Sequence, residues 1–302
     1  MIVDNRIKDS NKYIILEVAG GQGKNCMSTA VIRAIKKQYL DYHVVVICSW
    51  DAPFFYNPNV FRFYLHGEGR YMKDFLKEDT IIMKHDPYNE TNHILRKEHL
   101  TETWCKLFNV KYDGYKPDIY INPRELEIAK DKIKPDGRPI LLLQSNGGAG
   151  NGSQYSKKSW YRDMPIEIAQ QLVNYFSKTY RILHIRTPEQ PALQGTELLN
   201  LPLRELYGVF GLSTKRLFID SFAMHVAAGL GLQSTVCWIG NSPSVFGYPE
   251  NINILPNANI INNFDKYTYL TDDISGQIQQ FPYDTVNLFN IDEIIDAVNR
   301  QK

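Results

Sequence analysis

Apolar runs alternate with helically spaced ones along most of the chain. Residues 12–18 (KYIILEV) are β-branched and apolar and break at Gly20-Gly21, which predicts a strand. Residues 26–39 (CMSTAVIRAIKKQY) place Met27, Val31, Ala34 and Ile35 on one helical face. Residues 44–48 (VVVIC) are continuously apolar, as expected of a strand buried on both faces. Residues 80–83 (TIIM) predict a further strand and 100–108 (LTETWCKLF) a helix. The second half repeats the style. Strands are predicted at 139–144, 181–185, 216–219 and 235–239, and helices at 166–176, 203–210, 222–230 and 292–301. A β-α-β order with short turns predicts parallel sheets covered by helices.

The pattern breaks between residues 115 and 139. Pro117, Pro123, Pro135 and Pro139 punctuate a charged stretch with one helix-like run, 124–132. Such a stretch predicts a joint between two domains. The expected division is an N-terminal Rossmann-like domain over 1–122, a linker over 123–138, a second Rossmann-like domain over 139–289 and a terminal helix over 290–302. Residues 241–289, rich in Asn, Tyr and Pro, are expected to be mostly irregular. The fold class is therefore α/β, with two doubly wound parallel sheets facing a cleft. Open parallel sheets bind ligands beyond the carboxyl ends of their strands, so the residues just after each strand carry the functional information.

Composition narrows the classes. At 302 residues the chain is long enough for two cores. Lys plus Arg number 34 and Asp plus Glu 33, so a generally basic nucleic-acid coat is not expected. A balanced total still leaves room for a cationic cleft, with Lys24, Lys157, Lys158, Lys215 and Arg216 as its candidates. No apolar run is long enough to span a bilayer, and the opening MIVDNRIKDSNK is too polar for a signal peptide. Cys26, Cys48, Cys105 and Cys237 lack metal-site spacing and suit buried thiols in a reducing, cytoplasmic setting. Neither a metal nor a resident cofactor is expected.

Three segments after predicted strands stand out. Gly20-Gly21-Gln22-Gly23-Lys24-Asn25 opens the first helix, where glycine lets backbone N–H groups approach an anion. It fits neither the nucleotide P-loop, since Val18 and Asn25 replace the required residues, nor the dinucleotide fingerprint, since Cys26 replaces the third glycine. A tight turn with a solvated Lys24 and a substrate-binding loop through Gly21 and Gly23 both remain open. Residues 145–156 (SNGGAGNGSQYS) carry four glycines before Lys157-Lys158, which suits a phosphate ligand or a surface loop. Residues 219–231 (IDSFAMHVAAGLG) deliver Asp220 and Ser221 to a strand end and then start a helix containing His225. That helix start can face an anion. A packed, hydrogen-bonded His225 and an N-capping Asp220 are the plainer alternatives.

These segments resemble, in the right order, glycosyltransferase family 9, the lipopolysaccharide heptosyltransferase type with the GT-B fold. Residues 20–35 are similar to the family's N-terminal glycine loop and helix. Lys158-x-Trp160 is similar to its Lys-x-Trp-Pro segment, and residues 203–240 to its Asp-Ser-Gly-x-x-His-x-Ala-Ala segment. The resemblance implies that Lys158 contacts the phosphates of a nucleotide-activated sugar. It implies that Asp220, Ser221, Met224 and His225 line the donor site and that the loop 240–244 (GNSPS), with Gly240, Asn241 and Ser242, closes over it. Metal-free stabilisation of the leaving nucleoside diphosphate is implied too, and no Asp-x-Asp occurs in the chain. One departure matters. The family places its general base, an Asp, where this chain has Lys24, and a protonated Lys cannot deprotonate an acceptor. The expected substitutes follow later strands: Asp51, and His85 or Asp86, with Asp86 favoured over the others, although Asp86-Pro87 also reads as a turn starter.

The acceptor is less specified. Residues 50–71 are rich in aromatic rings and include Arg62 and Arg70, which suits a glycan or an extruded nucleobase, although core packing explains most of the rings. Asn-, Lys- and Ile-rich usage suggests an AT-rich genome such as a phage's, where a modified DNA base is an alternative acceptor to a glycan. Two rival functions are a sugar-nucleotide epimerase of the same fold and a non-catalytic nucleotide-sugar or glycan-binding protein.

Overall fold

The protein is described by a computed structural model over residues 12–68, 73–147, 162–259 and 283–302. Two parallel sheets organise it. The first contains β1 (Tyr13–Val18), β2 (His43–Cys48), β3 (Arg62–Leu65) and β4 (Ile81–Met83), in the order β3-β2-β1-β4. β1 pairs β2 from Tyr13↔His43 to Val18↔Cys48, and β4 from Ile14↔Ile81 to Leu16↔Met83. Alternate residues Ile14, Leu16, Val18, Val44 and Val46 point into a core shared with α1 (Gln22–Gln38) and α3 (Leu100–Leu107), where Val31, Ile35 and Trp104 meet them. The short α2 (Thr91–Ile94) precedes α3.

The second sheet contains β5 (Ile140–Leu143), β6 (Arg181–Ile185), β7 (Glu197–Leu199), β8 (Lys215–Ile219), β9 (Thr235–Cys237) and β10 (Ile252–Ile254). Its order, β10-β9-β8-β5-β6-β7, is the 3-2-1-4-5-6 order of a dinucleotide-binding fold when counted from β5. Both faces are covered. Leu142, Leu183, Phe218 and Val236 face α6 (Leu203–Leu212) and α7 (Phe222–Gly229). Leu141, Leu143, Ile182 and Leu217 face α5 (Ile166–Phe176) and α9 (Ile291–Arg300). All four residues of β5 are buried, as a central strand requires. The segment 241–289 also holds α8 (Pro243–Phe246) and β10, so the part of it described is less irregular than expected.

The predicted joint carries α4 (Pro123–Ile133), entered through a reciprocal cap between Asn122 and Glu125. α4 lies on α6 so closely that a Cβ on Gly208 would stand 2.6 Å from the Glu125 carbonyl oxygen. Arg204 of α6 ties the joint to both halves. It donates to the Glu125 carboxylate at 2.6 and 2.8 Å, to the Tyr120 carbonyl at 2.7 Å and to the Ala52 carbonyl at 2.9 Å. The halves also share an apolar core, in which Cys26, Met27, Ala52 and Leu100 meet Tyr207, Ala223, Met224 and Phe246. No helix among the described residues is long and apolar enough to cross a membrane.

Candidate functional site

The strand orders place one switch point in each sheet. In the first, it lies between β1 and β4 and brings the glycine loop beside Asp86. In the second, it lies between β5 and β8 and brings Ser145 beside Asp220. Crevices at such points are where open parallel sheets bind ligands. The helices that follow, α1 and α7, pack on each other across the halves, so the two switch points face one site.

α1 starts at Gln22, four residues before its apolar periodicity does. Gly21 is the N-cap in extended backbone (φ −69°, ψ 162°), and Asn25 donates its amide back to the Gly21 carbonyl at 2.9 Å. Gly21 has open space around it, and among the described residues no side chain caps the helix, so its first-turn amides lack a side-chain acceptor there. Lys24 therefore belongs to the first helical turn and is buried, not solvated. Its ammonium lies 2.6 Å from Asp86 Oδ2, 5.0 Å from the Tyr88 ring centroid and 5.6 Å from that of Trp104. A lysine side chain 6% exposed needs such partners, because an unpaired buried charge is costly. Asp86 Oδ1 accepts from Tyr88 N at 3.0 Å. One carboxylate thus starts the turn at Pro87 and holds Lys24. Asp51, after β2, precedes a single 3-10 turn over Ala52–Phe54, its side chain makes no cap bond, and it makes no described contact with Lys24 or Asp86. His85 is exposed beside Asp86.

On the facing half, Asp220 is buried and accepts a short bond from the Asn241 amide. Burial pushes its carboxyl above the usual range, opposed by Arg162, Asn241 and Arg96. Ser221, not Asp220, is the N-cap of α7, and its hydroxyl makes no cap bond. Met224 is fully buried in the core between the halves. His225 is buried, its Nδ1 2.6 Å from the Tyr248 hydroxyl. Burial, aided by His99 and Arg162, pushes its pKa down to about 3, so the ring is neutral at physiological pH. Its Cδ2–Nε2 edge abuts Gly23, where an added Cβ would stand 2.8 Å from Cδ2. Only glycine lets the two halves approach this closely here. Gly240 accepts from Arg96 Nη1 at 3.3 Å, and Ser242 caps α8. Lys158, with Lys157 and residues 148–156, lies outside the described residues. The described start of that loop is anchored, since Gly147 N donates to Asp163 at 2.7 Å and Ser145 Oγ lies 2.9 Å from His184 Nε2.

The cations of the site differ from those expected. Lys215 and Arg216 open β8 at its amino end, away from the site. Lys215 donates to the carbonyls of Asn299 and Gln301, and Arg216 to that of Gln233. In their place are Arg96 and Arg162. Arg96 has a left-handed backbone (φ 49°) and reaches across from the N-terminal half. Arg162 is exposed and lies near enough to Asp220, Tyr88 and His225 to act on their ionisation. Neither carries a periodicity or motif signal. Tyr248, in a segment read as irregular, had none either. Rings of residues 50–68 go into packing, as in Phe54–Phe63 and Phe55–Phe63, while Trp50, Tyr56 and Phe61 are exposed.

No protein-family model matches the chain, and no curated protein sequence matches it. Solved structures do match in fold. A glycosyltransferase family 9 protein from Veillonella parvula DSM 2008 is similar at a TM-score of 0.65 and 13% identity, over 95% of this chain and 96% of that one. The ADP-heptose lipopolysaccharide heptosyltransferase II of E. coli is similar at 0.57 and 13%, over 87% and 97%. The heptosyltransferase TibC, in complex with ADP-D-β-D-heptose, is similar at 0.59 and 15%, over 95% and 76%. The two-sheet α/β architecture and the structural resemblance to family 9 proteins both hold along most of the chain.

Proposed function

We propose that the protein is a glycosyltransferase that moves a sugar from a nucleoside-diphosphate donor to a hydroxyl acceptor, a glycan or a modified nucleobase. The observation that carries this is the Lys24–Asp86 pair at one switch point, set against the Asp220–His225 segment at the other. The similarity in fold to TibC, solved with ADP-D-β-D-heptose, supports a donor of that class. In the reaction, the acceptor oxygen forms a bond to the anomeric carbon as the bond from that carbon to the donor phosphate breaks. The leaving nucleoside diphosphate takes the bonding pair, and Asp86 takes the acceptor proton. Lys24, Arg162 and the starts of α1 and α7 supply the fixed positive field for the developing phosphate charge. Lys158 would add to it. On this account no metal is needed.

Asp86 fills the role that Lys24 vacates. It is part-exposed, so an acceptor can reach it, whereas Lys24 is enclosed. The test is to incubate the protein with ADP-, UDP-, GDP- and CMP-sugars, with and without acceptor glycans or hydroxymethylated DNA, in EDTA. Acceptor-dependent release of one nucleotide is expected. A changed donor sugar without acceptor would instead show an epimerase, and binding without turnover a binding protein.

A further inference from the structure

We infer that Tyr248 is a positioning residue that holds His225 as its Nε2–H tautomer, aiming a neutral N–H at the first turn of α1 to bind an anionic oxygen of the ligand. The ligand class rests on the nucleotide-sugar reading above, whereas the tautomer assignment does not.

Two neutral groups share one hydrogen bond, Tyr248 Oη to His225 Nδ1 at 2.6 Å. Either the phenol donates to a bare Nδ1, or Nδ1–H donates to the phenol oxygen. Tyr248 is 1% exposed, and among the described residues its hydroxyl has no acceptor besides His225. The second arrangement would bury a phenol proton with nowhere to go. The first satisfies both groups and sends the single ring proton to Nε2. Burial keeps both rings neutral, since it pushes the phenol up and the imidazole down. The tautomer is thereby set by the bond at the other nitrogen.

Nε2 has no described hydrogen-bond partner, although His225 is only 4% exposed. A Cβ added to Gly23 would lie 3.1 Å from it, so this edge of the ring lies against the first turn of α1. There the uncapped amides stand beside the open space at Gly21. An oxyanion in that space would meet a donor from each half of the molecule. It would also draw them together without any charge on the histidine.

The test combines nitrogen NMR of the imidazoles with ligand titration. In the wild type, His225 should show a protonated Nε2 and an unprotonated Nδ1, identified by the signals lost in His225→Gln. Tyr248→Phe keeps the ring and should shift His225 toward a tautomer mixture. It should weaken binding of ADP and of inorganic pyrophosphate about tenfold, the worth of one hydrogen bond of about 1.4 kcal/mol. His225→Gln, whose amide can stand in for Nε2–H, should retain more affinity than His225→Asn. In the His225→Gln background Tyr248→Phe should have no further effect, which a purely structural role for Tyr248 would not produce. An Nδ1–H tautomer in the wild type, or equal losses from Tyr248→Phe in both backgrounds, would overturn the assignment. The expected tautomer in a protein that binds neither ADP nor pyrophosphate would overturn the anion role and leave Tyr248 a tautomer setter alone.

Discussion

Lys24 and Asp86 each stood out in the sequence, yet nothing in it joined them. They are 62 positions apart, and the parallel pairing of β1 with β4 is what brings them within 2.6 Å. The same limit hid Arg96, Arg162 and Tyr248, whose roles come from what the other half of the chain places beside them. Asp220 and His225 were legible because a strand, a small-residue turn and a helix follow one another without a break. The pair also makes separable demands. Asp86→Asn keeps an acceptor for Tyr88 N and removes the charge. Turnover should fall by ~10²–10⁴-fold, the usual worth of a general base. Stability should fall too, toward the low end of the roughly 3–5 kcal/mol that an unpaired buried charge costs, because the carboxylate is 40% exposed and Lys24 retains its two rings. Lys24→Met keeps the volume and removes the buried charge. Folding should be little changed, while nucleoside-diphosphate affinity drops. Initial rates and urea midpoints for the two variants would separate base from anion partner, and full activity in Asp86→Asn would sink the assignment.

At the scale of elements, the central strands and longer helices were legible, and the missed strands share one physical cause. β3 (RFYL), β7 (ELL) and β10 (INI) were missed, and each is the outer strand of its sheet. An edge strand is short and half-exposed, so it lacks the continuous apolar run that marks β2 or β5. The first turn of α1 was missed for a related reason: Gln22, Gly23, Lys24 and Asn25 are polar or glycine, although Lys24 and Asn25 are buried. Helical glycines show how packing overrides propensity. In an exposed helix, Gly→Ala gains about 1 kcal/mol. At Gly208 the added Cβ would stand 2.6 Å from the Glu125 carbonyl and 2.9 Å from Ala129 Cβ, forcing α4 off α6. Gly208→Ala should therefore destabilise by about 1–3 kcal/mol. A thermal melt showing it as stable as the wild type would mean that α4 is not held this tightly.

Across the whole molecule, the two halves meet through imidazoles as well as through aliphatic packing. His93 and His99 come from the N-terminal half, and their rings lie 5.6 Å from Phe246 and 6.0 Å from Tyr248 of the other half. His225 completes the group against the same Tyr248. Burial is the main cause that pushes His93 and His99 down to about 4 and His225 to about 3. Arg96 and Lys24 add to the shift at His93, which Asp86 opposes. Carbonyls of Phe246 and Gly247 oppose it at His99, and Arg162 adds to it at His225. All three folded-state values lie below the free histidine value of about 6.5. Above that pH both states are neutral and the full stability is present. As pH falls below it, the unfolded chain takes up protons that the folded protein refuses, and each refusal costs about 1.4 kcal/mol per pH unit. The loss stops only near pH 4 for His93 and His99 and near 3 for His225. His184, in β6, is pushed down to about 4 as well and adds to the slope from within one sheet. Asp163 and Asp220 are raised by burial and act in the opposite sense, regaining stability as pH falls toward them. Urea midpoints should thus fall steadily from pH 6.5 to 5. His99→Asn isolates one proton of the interface. Asn can accept from Thr101 N as His99 Nδ1 does at 3.2 Å, so the cap on α3 survives while the titrating group is removed. That variant should lose stability at pH 7.5 through the missing ring contacts, yet its pH slope should be shallower by about one proton. An unchanged slope would mean that His99 is not one of the groups through which acid loosens the contact between the halves.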